Sequence, residues 1–219
     1  MMRRWLRRRL ARRPDDGLSL AEMLVAMMVF AMAMAMITGA LIATLHVTKG
    51  AQSASDAEFE ARQALAIIDR QVRSGNVLFS PADEVTYLSS CHDLGGNSGD
   101  CMRIYTQSNG DEKCVQWQLV PDPSAVGTYQ LQMRSWTSDW QSSGKVTAWA
   151  VNARGLLLSG SPFTLDVGNA GLYGERLLKV HLVSKNVANG HNVTIDASIS
   201  GRNTTYGYSG SQCLPVPPG

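Results

Sequence analysis

The chain has 219 residues, of which 44% are hydrophobic and 17% are charged. That is enough for a membrane helix and one domain with its own core, so a second soluble domain is not required. The net charge of +2 comes from the first residues, since residues 74–219 hold nine basic and eleven acidic side chains, a balance that argues against a large nucleic-acid footprint.

The first 13 residues contain seven Arg, at positions 3, 4, 7, 8, 9, 12 and 13. A block of like charge sometimes forms a nucleic-acid-binding arm. Here the block precedes an apolar run, and basic residues in that position hold their end of a membrane helix in the cytoplasm. We therefore expect a cytoplasmic N-terminus and an extracytoplasmic C-terminal part.

An apolar segment runs from Met23 to Leu45, and no charged residue occurs between Met23 and Thr48. As a helix, 23 residues span roughly 35 Å, enough to cross a bilayer core. Six of the ten Met lie here. Such a stripe binds soft metals in some proteins, but in a membrane helix it is more often a packing surface. The segment predicts a membrane-spanning helix.

A glycine, Gly17, stands before this apolar run. An ordinary secretory signal has its cleavage site after the apolar stretch, which is then lost. Cleavage after Gly17 would instead keep the helix. This order of basic stretch, glycine, short link and apolar helix resembles the leader of type IV prepilins and type II secretion pseudopilins. The matching residues are Gly17, Leu18, Ser19, Leu20, Glu22, Leu24, Val25 and Ala26.

The resemblance implies that a prepilin peptidase cuts between Gly17 and Leu18 and that the new N-terminus, Leu18, is methylated. It implies a non-catalytic structural subunit whose partners are membrane lipid, other pilin or pseudopilin subunits and an inner-membrane assembly platform. Cleavage would remove seven Arg and two Asp from totals of 20 and 18, leaving 13 basic and 16 acidic residues.

Glu22 lies at the edge of the apolar helix, where a carboxylate costs about 2.5 to 3.5 kcal/mol if it reaches the bilayer centre. In one interpretation it stays at the interface and complements the helix dipole. In the other, favoured by the resemblance, it neutralises the Leu18 amine of an adjacent subunit during assembly.

Beyond Lys49 the pattern becomes amphipathic, with an apolar stripe at Ala61, Leu65, Ile68 and Val72. We assign residues 1–17 to the leader, 18–48 to the transmembrane or assembly helix, 49–76 to its amphipathic continuation and 77–219 to a β-rich head. Ser74-Gly75-Asn76 supplies a plausible helix stop.

From residue 77 the hydrophobic period changes to two, between Gly, Ser, Asn and Pro clusters. The predicted strands are 85–91, 101–107, 114–120, 129–136, 146–151, 163–167, 177–184 and 192–200. The fold class is therefore α+β, a long N-terminal helix packed on an antiparallel sheet. This outline is similar to that of minor pilin subunits of the J or W type.

Four Cys, at positions 91, 101, 114 and 213, fall in the exported part, and an even number there favours two disulfides over metal or free thiols. Of three possible pairings we favour Cys91 with Cys101, which would close a hairpin loop. Cys114 with Cys213 follows by elimination.

Signals for catalysis, metals and cofactors are weak. Ser142-Ser143-Gly144-Lys145 fits S-x-x-K without its companion motifs, and a turn is the better interpretation. Trp136 and Trp140 either form an exposed aromatic patch or pack under a loop. We expect no enzyme and no cofactor. The alternatives to a pilus or pseudopilus subunit are a permanently anchored surface-binding domain and a competence-pilus component that aids DNA uptake.

Overall fold

The computed structural model of the chain describes residues 19–84, 99–107, 110–166, 176–185, 192–201 and 211–218, apart from the side chain of Ala54. The chain divides into two compact units, one ending at Thr48 and the other beginning at Lys49. The first contains the apolar part of the N-terminal helix. The second contains the rest of that helix and a β-sheet.

The N-terminal helix, α1, spans Leu20–Arg73. Its last turn is closed by Ser74, whose hydroxyl donates to the carbonyl of Arg70 at 2.7 Å. A strand follows at once, because Gly75 already pairs with Thr106. The sheet therefore starts inside the 49–76 segment that was assigned to the helical continuation.

The described residues contain eight strands and a one-turn helix, α2, at Trp140–Ser143. The strands are β1 Gly75–Leu78, β2 Cys101–Thr106, β3 Lys113–Pro121, β4 Tyr129–Trp136, β5 Ala150–Leu157, β6 Phe163–Asp166, β7 Leu177–Ser184 and β8 Val193–Ser200. Neighbouring strands are antiparallel in the order β1-β2-β3-β4-β5-β7-β6, and β8 also pairs with β7. The predicted fold class, α+β with a long helix and an antiparallel sheet, is confirmed.

Two of the predicted strands, 129–136 and 177–184, have the predicted bounds. The prediction of a strand at 146–151 is wrong for most of its length, because Val146 makes only an isolated bridge to Trp136 and β5 begins at Ala150. The predicted strand 85–91 lies outside the described residues. Strand β1 was not predicted.

The main core lies between the second half of α1 and one face of the sheet. Ala61, Ala64, Ile68 and Val72 of α1 are at most 1% exposed. They pack against inward-facing side chains of the strands, among them Met102, Ile104, Val115, Trp117, Leu119, Leu131, Ala153, Leu156, Leu178, Val180, Leu182, Ile195 and Ile199. Three residues of the predicted apolar stripe, Ala61, Ile68 and Val72, are therefore on the buried face of the helix, and the fourth, Leu65, is partly buried against the same core.

A polar contact ties the helix to the centre of the sheet. The indole N–H of Trp117, which is fully buried, donates to Oε1 of Gln71 at 2.7 Å. A buried indole N–H needs such a partner. Gln71 is itself buried, so this bond joins the inward face of α1 to strand β3.

Strand β5 approaches α1 at Gly155. A side-chain carbon at this position would lie 3.2 Å from Cβ of Ala57, and the backbone has φ +65. Only glycine adopts this conformation without strain. Next to it, the backbone N–H of Arg154 donates to Oε2 of Glu60 at 3.0 Å.

The opposite face of the sheet carries a second, smaller core. Val77, Tyr105, Cys114, Trp136 and Cys213 are buried together there. Of the two alternatives for Trp136, the exposed patch is therefore wrong, because this side chain is 2% exposed. Its strand position faces away from α1, and Cys213 and Val216 of the C-terminal segment pack in the same cluster.

A disulfide between Cys114 and Cys213 fastens the C-terminal segment to β3. This is one of the two predicted pairs. Cys101 is also disulfide-bonded. Its predicted partner, Cys91, lies outside the described residues, and the pairing of these two stays a prediction.

A buried ion pair lies on the same face. Nε and Nη2 of Arg103 donate to Oε1 of Glu84 at 3.0 and 2.9 Å, and both side chains are almost fully buried. Arg103 also donates to the carbonyl of Cys213 at 3.2 Å. Burial raises the pKa of Glu84, although Arg103 acts in the opposite direction.

Because of the Gln71 bond, we expect alanine substitution of two glutamines of α1 to have different effects on the free energy of unfolding. Gln71→Ala should lower the free energy of unfolding by about 1 to 3 kcal/mol, because the N–H of Trp117 is left buried without an acceptor. Gln63→Ala, at an exposed position of α1, should change it by less than about 0.5 kcal/mol. Unfolding followed by near-ultraviolet circular dichroism measures both. Equal effects would refute the structural role of the bond.

The cysteines predict a peptide map. Non-reducing digestion should yield one peptide joining Cys114 to Cys213 and a second joining Cys91 to Cys101. Replacing Cys114 and Cys213 by Ser should lower the free energy of unfolding by about 2 to 5 kcal/mol, because the bond closes a loop with a sequence separation of 99. Alkylation of either thiol in unreduced protein would contradict this pairing.

Candidate functional site

The first part of α1 exposes apolar side chains all around its axis. Within the described residues, α1 is the one helix long and apolar enough to cross a membrane, and none of its most apolar 18-residue window is buried. The large apolar side chains exposed in its first part, before Lys49, are Leu20, Met23, Leu24, Val25, Met27, Met28, Val29, Phe30, Met32, Met34, Met36, Ile37, Leu41, Ile42, Leu45 and Val47. Such a surface is stable only in lipid or against other apolar helices.

The threonines of this segment do not interrupt its apolar character. The hydroxyls of Thr38, Thr44 and Thr48 donate to the carbonyls four residues earlier, at 2.6, 2.6 and 2.8 Å. A hydroxyl that is satisfied within its own helix has little need of water. These three threonines are therefore compatible with a lipid environment.

The helix begins with a reciprocal capping arrangement between Ser19 and Glu22. The backbone N–H and the hydroxyl of Ser19 both donate to Oε2 of Glu22, at 3.1 and 3.2 Å. In return, the backbone N–H of Glu22 donates to Oγ of Ser19 at 3.3 Å. This is a capping box, which satisfies N–H groups that lack partners at a helix start.

The capping box leaves part of the Glu22 carboxylate available. Both bonds go to Oε2, and no described residue donates to Oε1. The side chain is exposed. Glu22 can therefore cap its own helix and still accept a hydrogen bond or an ion pair from another chain. The two interpretations of Glu22 are compatible in geometry.

The structure therefore describes only some of the predicted site residues. Glu22 lies in the first turn of α1. The cleavage-site residues Gly17 and Leu18 lie outside the described residues. Cleavage, methylation and the role of Glu22 in assembly stay predictions.

The remaining candidate signals for chemistry lie in the β-rich unit. Among the described residues, no group of three or more His, Cys, Asp or Glu side chains could hold a metal ion. His181 and Asp196 form an exposed pair, with 2.6 Å between Nδ1 and Oδ1. In the S-x-x-K sequence, Ser142 and Ser143 end α2, Gly144 caps it in the left-handed conformation, and Lys145 follows the cap.

The interpretation of the sequence missed two features, one at each end of the described chain. The capping box has a plain signal, because Ser19-Leu20-Ala21-Glu22 fits S-x-x-E before an apolar run. The second feature is the contact of residues 214–218 with the sheet, for which the only sequence signal is the predicted Cys114–Cys213 pair next to them.

Comparison with known proteins bears on the N-terminal segment. Residues 12–38 match a family model described as the prokaryotic N-terminal methylation motif. No curated protein and no solved structure matches the chain. The motif and the apolar helix together fit anchoring in a membrane. The chain thus carries, from the end of its basic stretch into α1, the methylation motif that is characteristic of type IV prepilin-like and pseudopilin-like proteins.

Proposed function

We propose that this protein is a structural, non-catalytic minor subunit of a type IV pilus or type II secretion pseudopilus. The observation that carries the proposal is the position of the methylation motif, which runs directly into a helix whose apolar side chains are exposed all around. An anchor that stays in lipid and a helix that packs among others both need such a surface. The motif favours the second.

In this proposal the chain is inserted with its Arg-rich leader in the cytoplasm and its head outside. Prepilin peptidase removes residues 1–17, and Leu18 becomes the methylated N-terminus. The Cys114–Cys213 disulfide supports an extracytoplasmic head, because disulfides persist in oxidising compartments. The partners are other subunits with the same kind of helix and the assembly platform that extracts them from the membrane.

Glu22 has two roles in the proposal. Oε2 closes the capping box with Ser19. Oε1 accepts a hydrogen bond from the Leu18 amine of a neighbouring subunit. Capping explains why a carboxylate is tolerated at the start of an apolar helix. Pairing between subunits gives it a function, since a charge left without a partner in an apolar bundle is costly.

The first prediction of this function is cleavage of the leader. Intact-mass measurement of membrane-extracted protein should show loss of residues 1–17 and one added methyl group on Leu18. Gly17→Ala should be inserted but remain uncut. Recovery of the full leader from cells with an active peptidase would refute the processing step.

The second prediction separates capping from assembly. Glu22→Gln keeps an oxygen for the Ser19 N–H, because Gln also closes a capping box, but it removes the charge. The variant should be inserted and cleaved normally and yet be at least about tenfold depleted from sheared filaments, since the loss of 1.4 kcal/mol already corresponds to a factor of ten.

The matched control is Ser19→Ala, which weakens the cap but keeps the carboxylate. It should enter filaments at a level close to wild type. If Glu22→Gln assembles as well as wild type, then Glu22 is only a helix cap, and a permanently anchored binding domain becomes the better interpretation.

A further inference from the structure

A cavity of about 340 Å³ lies between the second part of α1 and strand β5. Its polar lining residues are Lys49, Gln52, Ser53, Asp56, Glu60 and Arg154. We call it the charged cavity. Ligand pockets in proteins have volumes from about 300 Å³ upward, so the charged cavity is large enough for a small ligand or a headgroup.

The charged cavity combines two cations with two carboxylates. The side chains of Lys49 and Asp56 have no hydrogen-bond or ion-pair partner among the described residues. Glu60 uses Oε2, which accepts from the backbone N–H of Arg154 at 3.0 Å, and no described residue donates to its Oε1. One cavity therefore contains an ammonium group and two carboxylates that are available to a ligand.

The second cation, Arg154, is fixed by contacts behind the charged cavity. Its Nη1 donates to Oδ1 of Asp122 at 3.0 Å and to Oε1 of Gln130 at 2.8 Å. Its Nε and Nη2 make no hydrogen bond with a described residue, and the side chain is 47% exposed. The guanidinium group is therefore held in place and still has donors for a ligand.

The charged cavity lies at the end of the second unit that is nearest to Lys49. Strand β3 binds α1 at Gln71, in the last part of the helix. Just beyond the end of β3, Asp122 binds Arg154, whose backbone binds Glu60, at a position of α1 closer to Lys49. The turn between β3 and β4 is therefore at the same end of the unit as the charged cavity.

This end of the unit is joined to the apolar segment. The uncharged run of the sequence ends at Thr48, so Lys49 lies at the lipid surface when the apolar segment spans a membrane. The turn between β3 and β4 is closed by a bond from the N–H of Asp122 to the carbonyl of Thr128 at 2.9 Å. It carries Val126, whose side chain is 100% exposed. An apolar side chain in this position is compatible with contact with lipid.

The charge pattern favours a ligand that has both a phosphate and an ammonium group. Arginine and lysine bind phosphate oxygens through charge-assisted hydrogen bonds. A primary ammonium group has three N–H donors for carboxylates. An anion alone would face Asp56 and Glu60, and a cation alone would face Lys49 and Arg154. At a lipid surface, the phosphoethanolamine headgroup has both groups and no further charge.

We propose that the charged cavity binds the phosphoethanolamine headgroup of a membrane lipid. Lys49 and Arg154 bind the phosphate, and Asp56 and Glu60 bind the ammonium group. The bound lipid then holds the turn that carries Val126 at the lipid surface. This inference rests on the membrane-spanning role of α1 and not on assembly, because a chain that is only anchored binds the same lipid. Failure of cleavage or of filament entry leaves it unchanged.

The test is a titration of the full-length chain in detergent micelles with dioctanoyl lipids that differ only in headgroup. Native mass spectrometry measures the fraction of chains with one bound lipid. Phosphatidylethanolamine should bind at least about tenfold more tightly than phosphatidylglycerol, which lacks the ammonium group, and phosphatidylcholine, whose ammonium has no N–H. Free O-phosphoethanolamine should bind at least about tenfold more weakly than the lipid, because it has no acyl chains.

Two variants separate the two halves of the charged cavity. Asp56→Asn should remove the preference for phosphatidylethanolamine over phosphatidylcholine and leave binding of phosphatidylcholine unchanged. Lys49→Gln should weaken binding of both lipids at least about tenfold, because both contain the phosphate. The matched controls are Asp111→Asn and Lys145→Gln, at exposed positions outside the charged cavity, and they should bind like the parent chain.

A second measurement locates the turn that carries Val126. Val126→Cys and Asp111→Cys, beyond opposite ends of β3, are each labelled with the polarity-sensitive fluorophore NBD in phosphatidylethanolamine nanodiscs. Emission should be stronger and shifted to the blue at position 126, where the label meets lipid. At position 111 it should remain that of a label in water.

Four outcomes would overturn the proposal. They are equal affinity for the three lipids, tighter binding of phosphatidylglycerol, binding of free O-phosphoethanolamine as tight as that of the lipid, and unchanged lipid binding in both Lys49→Gln and Asp56→Asn. Equal emission from the two labels would overturn the placement of the Val126 turn at the lipid surface.

Discussion

The buried face of α1 is the contact on which the head depends. An antiparallel sheet needs one covered face, and in the described part of the chain the helix residues Ala61, Ala64, Ile68 and Val72 provide that cover. Small side chains allow close approach, as at Ala57 and Gly155. The bond from Trp117 to Gln71 then sets the rotation of the helix, since the alternative is a buried indole N–H without a partner.

The same helix has a different chemical character before Thr48, where apolar side chains are exposed on all sides. The two parts of α1 therefore have different surroundings. Its first part is stable only where lipid or other apolar helices replace water, and its second part is stable because it covers a sheet. The capping box at Ser19 and Glu22 supplies the polar start that such a helix requires.

The second face of the sheet is organised by arginines. Arg103 joins Glu84 to the carbonyl of Cys213, and Arg134 joins β4 to the C-terminal residues. Burying a guanidinium group raises the free energy of the folded state unless several acceptors form hydrogen bonds with its N–H donors. The carbonyls of Pro217 and Pro218 accept two of these bonds from Arg134, so the proline-rich end of the chain supplies acceptors to a buried guanidinium group.

Local pattern was sufficient for the properties that depend on neighbours in sequence. The absence of charge from Met23 to Thr48 determined an apolar helix, and the order of Arg, Gly17 and Glu22 pointed to the methylation motif. Alternation of apolar and polar residues located β4 and β7 at their bounds. The α+β class followed from the change of period.

Other features were decided only by tertiary structure, because they depend on what lies opposite a residue. Strand β1 forms since Gly75 meets Thr106, and β5 begins at Ala150 where β4 offers a partner. Trp136 has the strand position of an outward-facing residue, yet the C-terminal segment buries it. Only contacts between residues distant in sequence determine whether an outward-facing side chain meets water or another part of the chain.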